Sequence, residues 1–177
     1  MKHNSFILGL PRSRTSWLTA FLQQPDSFCG HGLFSTSVDA SEVFYSVPHK
    51  YRISVDTNPI IAREYSKDLG VPLIIIKRDS SEVLKSLCEL FGEDKKEYLS
   101  QCVVKLEKAL KDAEVYADLI IPFKELDINL DLIWSLCYPD KELTMIHKET
   151  FKNLVINTKE IKYKDFKEEF DLCQLTQ

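Results

Sequence analysis

Residues 6–17, with the sequence Phe-Ile-Leu-Gly-Leu-Pro-Arg-Ser-Arg-Thr-Ser-Trp, constrain the fold more than any other part of the chain. The apolar start of this stretch, residues 5–10, predicts a short strand that is buried on both faces. The apolar residues that follow recur at helical spacing until Pro25, which predicts an amphipathic helix. A turn from a strand into a helix offers free backbone N–H groups and the positive end of the helix dipole. The stretch therefore predicts an anion site, and Arg12 and Arg14 favour phosphate- or sulfate-like groups.

Length and composition limit the classes of protein to consider. A chain of 177 residues, 44% of them hydrophobic, can bury a core of its own, so we expect one domain over residues 1–177. The net charge of −4 argues against nucleic acid as a partner. The five cysteines form no C-x-x-C pair, and we expect reduced thiols and no metal site. No apolar run has the length of a signal peptide or a membrane span, so we expect a cytoplasmic protein without a membrane partner.

Apolar runs and helix-end signals divide the rest of the chain. We predict three further strands, at residues 51–55, 71–76 and 119–123. We predict helices at residues 38–45, 59–69, 79–91, 94–116, 130–137 and 141–153, and a solvated surface helix after residue 158. Residues 28–34 are predicted to form a loop. Buried strands that alternate with helices predict a parallel α/β sheet flanked by helices on both faces.

The expected anion site does not match the loop of a nucleoside-triphosphatase. That loop follows the pattern G-x-x-x-x-G-K-[ST], which requires a glycine and a lysine where this chain has Arg14 and Thr15. Without this lysine, the β- and γ-phosphates of a nucleotide would lose their main positively charged contact, which disfavours NTPase and kinase chemistry. A small-molecule kinase is kept as the weakest alternative.

Two motifs resemble those of the sulfotransferase family. Residues 9–18 are similar to the family's 5′-phosphosulfate loop, which commonly runs P-[KR]-[ST]-G-T-[ST]. Residues 77–87 resemble its 3′-phosphate motif, in which an arginine at a strand end and a serine eight residues later bind the donor. Arg78 and Ser86 have this spacing. With weaker similarity at residues 55–59 and 116–126, the resemblance covers roughly residues 5–127, and the chain, short for the family, resembles a bacterial- or phage-type member.

The resemblance implies a sulfotransferase-like fold of the P-loop NTPase type, a donor and a set of residues that bind it. The donor is 3′-phosphoadenosine 5′-phosphosulfate, the product is 3′,5′-adenosine bisphosphate, and the acceptor is an unknown hydroxyl or amine. Arg12 takes the position of the family's catalytic lysine or arginine and would stabilise the leaving oxygen without a metal. The 5′-phosphosulfate would be bound by residues 12–17: Arg12, Ser13, Arg14, Thr15, Ser16 and Trp17. Arg78 and Ser86 would bind the 3′-phosphate.

Three features leave alternatives open. Arg14 stands where the family usually has glycine, so the loop must avoid a positive φ there or tolerate strain. Sulfotransfer also needs a general base, for which His31, Glu42 and His49 are candidates, and we favour His31 because it soon follows the first helix. The alternative function is a nucleotide-binding protein of the same fold without catalysis. The sequence leaves the acceptor and the oligomeric state open.

Overall fold

The computed structural model describes residues 2–36, 40–60, 71–152, 154–156 and 162–175. Its strands are β1 (His3–Gly9), β2 (Ser27–His31), β3 (Tyr51–Asp56), β4 (Leu73–Lys77) and β5 (Leu119–Pro122). Its helices are α1 (Thr15–Leu22), α2 (Leu33–Thr36), α3 (Ala40–Ser46), α4 (Ser80–Phe91), α5 (Lys96–Ala113), α6 (Leu130–Cys137), α7 (Met145–Lys152) and α8 (Tyr163–Leu175). A 3-10 turn, Phe123–Ile128, connects β5 to α6.

The strands form a parallel sheet with helices on both faces. Within the described residues the sheet has five strands in the order β2-β3-β1-β4-β5. Along β1, Phe6 and Leu8 face a core shared with α4, α5 and α8. Ile7 faces the opposite core, which α1 and α6 share. The predicted fold class is thus confirmed, and β1 is central because its residues are apolar on both faces.

The prediction of a loop at residues 28–34 was wrong. Residues 27–31 form β2, an edge strand that pairs in parallel with β3. The segment has one large apolar side chain, Phe28, and a glycine at position 30, so it lacks the continuous hydrophobic run that identifies a buried strand. Pairing with β3 determines its conformation. The consequence is that His31 lies at the carboxyl end of the sheet, beside the ends of β1 and β3.

The helix predicted after residue 158 is present as α8, but the prediction that it is a solvated surface helix was wrong. Phe170 on α8 is 3% exposed, and Tyr163 and Phe166 pack against the same core. The hydroxyl of Tyr98 on α5 donates to Asp171 Oδ1 at 2.8 Å. The even mixture of lysine and glutamate in this segment hides a stripe of aromatic residues at helical spacing, which attaches α8 to α4 and α5.

The other predicted helices differ from the structure mainly at their ends. The helix at residues 130–137 is confirmed as α6, whereas α5 is shorter than predicted and has a 3-10 turn at each end. The helix predicted from residue 141 begins at Met145. Asn58 Oδ1 accepts from the amide of Ile60 at 3.2 Å, as expected of a helix cap. The remainder of that predicted helix, residues 61–69, lies outside the described residues, as does the predicted start of α3 at residues 37–39.

Candidate functional site

Residues 10–14 form a loop between β1 and α1, here called the anion loop. Two of its non-glycine residues have a left-handed backbone, Arg12 with φ 68° and Arg14 with φ 59°. Each such residue carries a conformational penalty of about 1–2 kcal/mol relative to a right-handed one. Of the two outcomes expected at position 14, the structure shows the second: the loop keeps a positive φ there and tolerates the strain that arginine brings. Nothing in the sequence indicated the same conformation at Arg12.

The N-terminus of α1 is open, whereas that of α4 is capped. Asp79 accepts hydrogen bonds from the amides of Ser81 and Glu82 and so satisfies the start of α4. At α1 the N-cap residue is Arg14, and no side-chain hydrogen bond caps the helix among the described residues. The first amides of α1 therefore point out of the helix without an intrahelical acceptor. This geometry suits an anion.

Ser13 adds a second indication of an anion. Its side chain is completely buried, and its hydroxyl has no hydrogen-bond partner in the described part of the chain. Buried polar atoms are almost always hydrogen-bonded, and an unpartnered one carries a penalty of about 1–3 kcal/mol. A ligand oxygen would satisfy this hydroxyl only after the loop opened, because Ser13 lies outside the described lining of the adjacent cavity.

Three residues predicted to bind the donor come together at the carboxyl edge of the sheet. Arg12 Nε donates to Ser86 Oγ at 3.1 Å, across 74 residues of sequence. Arg78 Nη1 donates to the backbone oxygen of Arg12, across 66 residues. The anion loop, the residue after β4 and the middle of α4 therefore form one cluster, which contains two guanidinium groups and a hydroxyl.

The guanidinium of Arg78 lies in a mixed environment. It is 4.4 Å from the centre of the Phe123 ring, and its Nε is buried without a hydrogen bond to any described residue. Glu82 Oε2 lies 3.7 Å from that Nε, and the other carboxylate oxygen, Oε1, lies 3.1 Å from Lys124 Nζ. A phosphate beside Arg78 would gain a donor that Glu82 approaches without forming a hydrogen bond.

Arg14 has a partner that the sequence did not reveal. Its Nη1 lies 2.6 Å from Asp127 Oδ1, and its guanidinium stacks over the Trp17 ring at 4.2 Å. Asp127 belongs to the turn after β5, 113 residues away, and no motif in the sequence pointed to it. Trp17 is 5% exposed and its ring stacks on Phe21, so its side chain packs in the core beneath Arg14.

His31 is the candidate base that lies beside the anion loop. Its Nε2 is 3.1 Å from Thr15 Oγ1 and 3.2 Å from Ser16 Oγ. Part of the residue is exposed, but loss of solvation around the ring lowers the pKa of His31 from its usual 6.5. The imidazole is therefore neutral near pH 7, which is the form that can accept a proton.

The other two candidate bases lie elsewhere. Glu42 is exposed on α3, outside the described lining of the cavity beside the anion loop. His49 precedes β3 and so lies at the amino edge of the sheet, opposite the anion loop. Of the three candidates, the structure brings His31 to the predicted site.

A cavity of about 410 Å³ opens beside the anion loop. On one side it is lined by polar groups of the loop, of α1 and of His31. On the other side its lining is apolar and comes from α4, α5 and α8: Leu87, Leu90, Phe91, Leu106, Phe166 and Phe170. Arg78 and Ser86 lie outside the described lining. Among the described residues, no group of three or more His, Cys, Asp or Glu side chains could hold a metal ion, and no helix is long and apolar enough to cross a membrane.

Comparisons with known proteins support the fold. The structure is similar to the crystal structure of mouse sulfotransferase SULT7A1 complexed with PAP, with a TM-score of 0.62 and 11% sequence identity. The match covers 85% of this chain and 63% of the mouse chain, so this chain spans less than two-thirds of that protein's length. No family model matches the sequence, and no curated protein matches it. The fold is thus sulfotransferase-like.

Proposed function

We propose that the chain is a sulfotransferase that moves a sulfuryl group from 3′-phosphoadenosine 5′-phosphosulfate to a hydroxyl or amine. The observation that carries this proposal is the cluster of Arg12, Arg78 and Ser86 beside the uncapped start of α1. The cluster and the helix start offer two anion-binding regions at one edge of the sheet. A nucleotide with phosphate groups at both the 5′ and the 3′ position needs two such regions. The PAP in the structure of the mouse sulfotransferase supports this class of nucleotide.

The chain has a fitting group for each part of the donor. The 5′-phosphosulfate would accept hydrogen bonds from the free amides at the start of α1 and from the hydroxyls of Ser13, Thr15 and Ser16. The 3′-phosphate would lie beside Ser86 and the half-buried guanidinium of Arg78. Arg14 would contribute mainly through its backbone, because its guanidinium is paired with Asp127.

The transfer step resembles phosphoryl transfer and depends on position and charge. The acceptor oxygen or nitrogen attacks the sulfur while the bond between sulfur and the bridging oxygen breaks. The electron pair of that bond stays on the bridging oxygen, which leaves as the 5′-phosphate of 3′,5′-adenosine bisphosphate. Arg12 would stabilise the charge that develops there. The acceptor's proton passes to His31, whose lowered pKa keeps it neutral and ready to accept.

Calorimetric titration tests the class of nucleotide. We expect 3′,5′-adenosine bisphosphate to bind without a metal, and Mg²⁺–ATP to bind much more weakly because the loop lacks the P-loop lysine. Absence of bisphosphate binding at saturating concentrations would overturn the proposal. Tight, magnesium-dependent binding of ATP would instead favour the small-molecule kinase.

The alternative is a nucleotide-binding protein of the same fold that does not catalyse transfer. The observation in its favour is that position 14 has arginine where the sulfotransferase family usually has glycine, and that this arginine forms a surface ion pair with Asp127. It predicts that the bisphosphate binds while a ³⁵S-labelled donor is never consumed across a broad panel of acceptors. The assignment as a short bacterial- or phage-type member, the single domain and the cytoplasmic location stay predictions.

A further inference from the structure

We propose that Lys124 is a further residue that binds the 3′-phosphate, and that the carboxylate of Glu82 holds the place of this phosphate until the nucleotide displaces it. The inference rests on the proposed function and adds two residues to the same site. It starts from two ion pairs that share one carboxylate. Glu82 Oε2 lies 3.7 Å from Arg78 Nε, and Glu82 Oε1 lies 3.1 Å from Lys124 Nζ.

The fold explains why these three residues meet. The last residue of β4 lies opposite the last residue of β5, so Arg78 and the 3-10 turn leave the sheet side by side. The Arg78 guanidinium accordingly lies 4.4 Å from the centre of the Phe123 ring, and Lys124 is the next residue. Glu82 lies on the first turn of α4, four residues before Ser86, and shares a helix face with it. A phosphate beside Arg78 and Ser86 would therefore meet Glu82 and Lys124 as well.

The Arg78 side chain has a donor that Glu82 does not satisfy. Its Nε is buried and forms no hydrogen bond to any described residue, because 3.7 Å is too long for one. Its Nη1 donates to the backbone oxygen of Arg12. The carboxylate thus offsets the charge of the guanidinium and leaves the Nε donor unpaired. A phosphate oxygen at hydrogen-bonding distance would do both, and so it could replace Glu82.

Charge makes the two occupants exclude each other. In the structure one carboxylate lies between two cations. A 3′-phosphate carries close to two negative charges near pH 7, so beside Arg78 it would repel the carboxylate of Glu82. The Glu82 side chain is 39% exposed and can turn toward water, whereas that of Lys124 is 81% exposed and has a flexible stem. The phosphate would therefore gain the amine of Lys124 as it displaces Glu82.

Calorimetry on Glu82→Gln tests the displacement. Removal of the competing carboxylate should raise the affinity for 3′,5′-adenosine bisphosphate at least about twofold, which lies within the range for ion pairs at a protein surface. The affinity for 5′-AMP, which has no 3′-phosphate, should not change. A smaller gain would overturn the inference, and so would a loss, because a loss would show that Glu82 orients Arg78 instead of competing for it.

Glu89→Gln is the matched control for this change. It removes the same charge from an exposed position two turns further along α4. Salt screens a charge at that distance, so the affinities for both nucleotides should stay as they are in the unmodified chain. An equal gain in Glu89→Gln would show a general effect of net charge and would overturn the specific role of Glu82.

Lys124→Gln tests the added cation. It should lower the affinity for the bisphosphate at least about twofold and leave that for 5′-AMP unchanged. Lys108→Gln, at an exposed position on α5, is its control and should change neither. Glu82→Gln should raise the affinity less when it is combined with Lys124→Gln, because one of the two cations that the carboxylate neutralises is then absent. An unchanged affinity for the bisphosphate in Lys124→Gln would contradict the inference.

The unmodified chain separates this inference from the proposed function. If it binds the bisphosphate and Glu82→Gln does not bind it more tightly, the displacement of Glu82 is wrong and the site for the nucleotide stands. If the unmodified chain does not bind the bisphosphate in the same titration, both fail.

Discussion

Arg12 and Arg14 lie two residues apart in the anion loop and share a left-handed backbone, yet their side chains have different surroundings. Arg12 reaches the hydroxyl of Ser86, and its carbonyl accepts a hydrogen bond from Arg78. Arg14 reaches the carboxylate of Asp127 and covers the ring of Trp17. The same residue type on the same backbone conformation therefore joins the cluster with Arg78 and Ser86 in one case and an ion pair in the other.

The difference shows that residue type alone does not assign a role in an anion loop. A guanidinium that is paired with a carboxylate and stacked on an aromatic ring has most of its interactions satisfied within the protein. Arg14 thus keeps the loop in the shape that glycine would give, and the proposed chemistry depends on Arg12. Substitutions at the two arginines and their partners should separate these two roles.

Loss of the general base should cause the largest decrease in the rate of the chemical step. His31→Gln is expected to lower kcat by about 10²–10⁴-fold, the range for a positioned general base. In the unmodified chain, kcat/KM should fall with an apparent pKa below 6.5 as the imidazole becomes protonated. A pH–rate profile checks this. The same profile in His31→Gln would contradict the role of His31.

The lowered pKa also predicts how stability depends on pH. The unfolded chain takes up a proton on His31 near pH 6.5, whereas the folded chain takes it up only at lower pH. This contribution to the free energy of unfolding is complete above about 6.5 and decreases as the pH falls toward the folded pKa. Urea denaturation of the unmodified chain and of His31→Gln at several pH values isolates it. If the free energies of unfolding of the unmodified chain and of His31→Gln differed by the same amount at every pH, the lowered pKa of His31 would be contradicted.

Arg12→Ala should affect the rate more than binding. Removal of one group that stabilises developing charge lowers kcat by about 10²–10³-fold. Binding of 3′,5′-adenosine bisphosphate should weaken modestly, because the gain from Arg12 arises mainly in the transition state. Rapid-quench measurement of a single turnover, with Arg12→Lys as the conservative control, tests this. An equal loss in rate and affinity would place Arg12 among the ground-state contacts.

Arg78→Ala should show the reverse pattern. Loss of one charged hydrogen-bonding contact weakens donor binding by about 1.5–3 kcal/mol, or about 10–150-fold. Binding of 5′-AMP, which has no 3′-phosphate, should hardly change. Calorimetry with both nucleotides measures the difference. A similar loss for both would show that Arg78 supports the loop through the carbonyl of Arg12 instead of binding the 3′-phosphate.

The smallest effects are expected at Arg14. The Asp127 carboxylate is 70% exposed, so its ion pair contributes only about 0.2–1 kcal/mol. Asp127→Asn should therefore weaken bisphosphate binding by less than about fivefold. Arg14→Gly should bind it as the unmodified chain does, because glycine adopts a positive φ without penalty. The variant that combines Asp127→Asn with Arg14→Gly should also bind the bisphosphate normally. A loss of affinity that persists in this double variant would show that Asp127 does not act through Arg14.

The sequence predicted the parts of the fold that depend on hydrophobic runs and helix-end signals. The strand after Pro72 and the helix capped by Asp79 were recognised because their burial and capping are encoded locally. β2 was missed because an edge strand with a single large apolar residue receives its conformation from pairing with β3. Likewise, the buried side of α8 was hidden by the lysines and glutamates between its aromatic residues.

The candidate site was predictable where a motif fixed the spacing of residues. Arg78 and Ser86 were chosen for their separation of eight residues, and the structure brings both to the anion loop. Asp127 could not be found, because its pairing with Arg14 joins segments 113 residues apart without a motif. The cavity beside the anion loop could not be found either, because its lining joins residues of α1, α4, α5 and α8 that only the tertiary fold brings together.

The central claim is that the chain holds two anion sites, one for each end of a 3′-phosphorylated nucleotide. The most direct test is the ratio of the dissociation constants of 5′-AMP and 3′,5′-adenosine bisphosphate, measured by calorimetry on the unmodified chain. We predict that the bisphosphate binds at least about tenfold more tightly, because its 3′-phosphate gains a charged hydrogen bond at Arg78. Equal affinities for the two nucleotides would contradict the account.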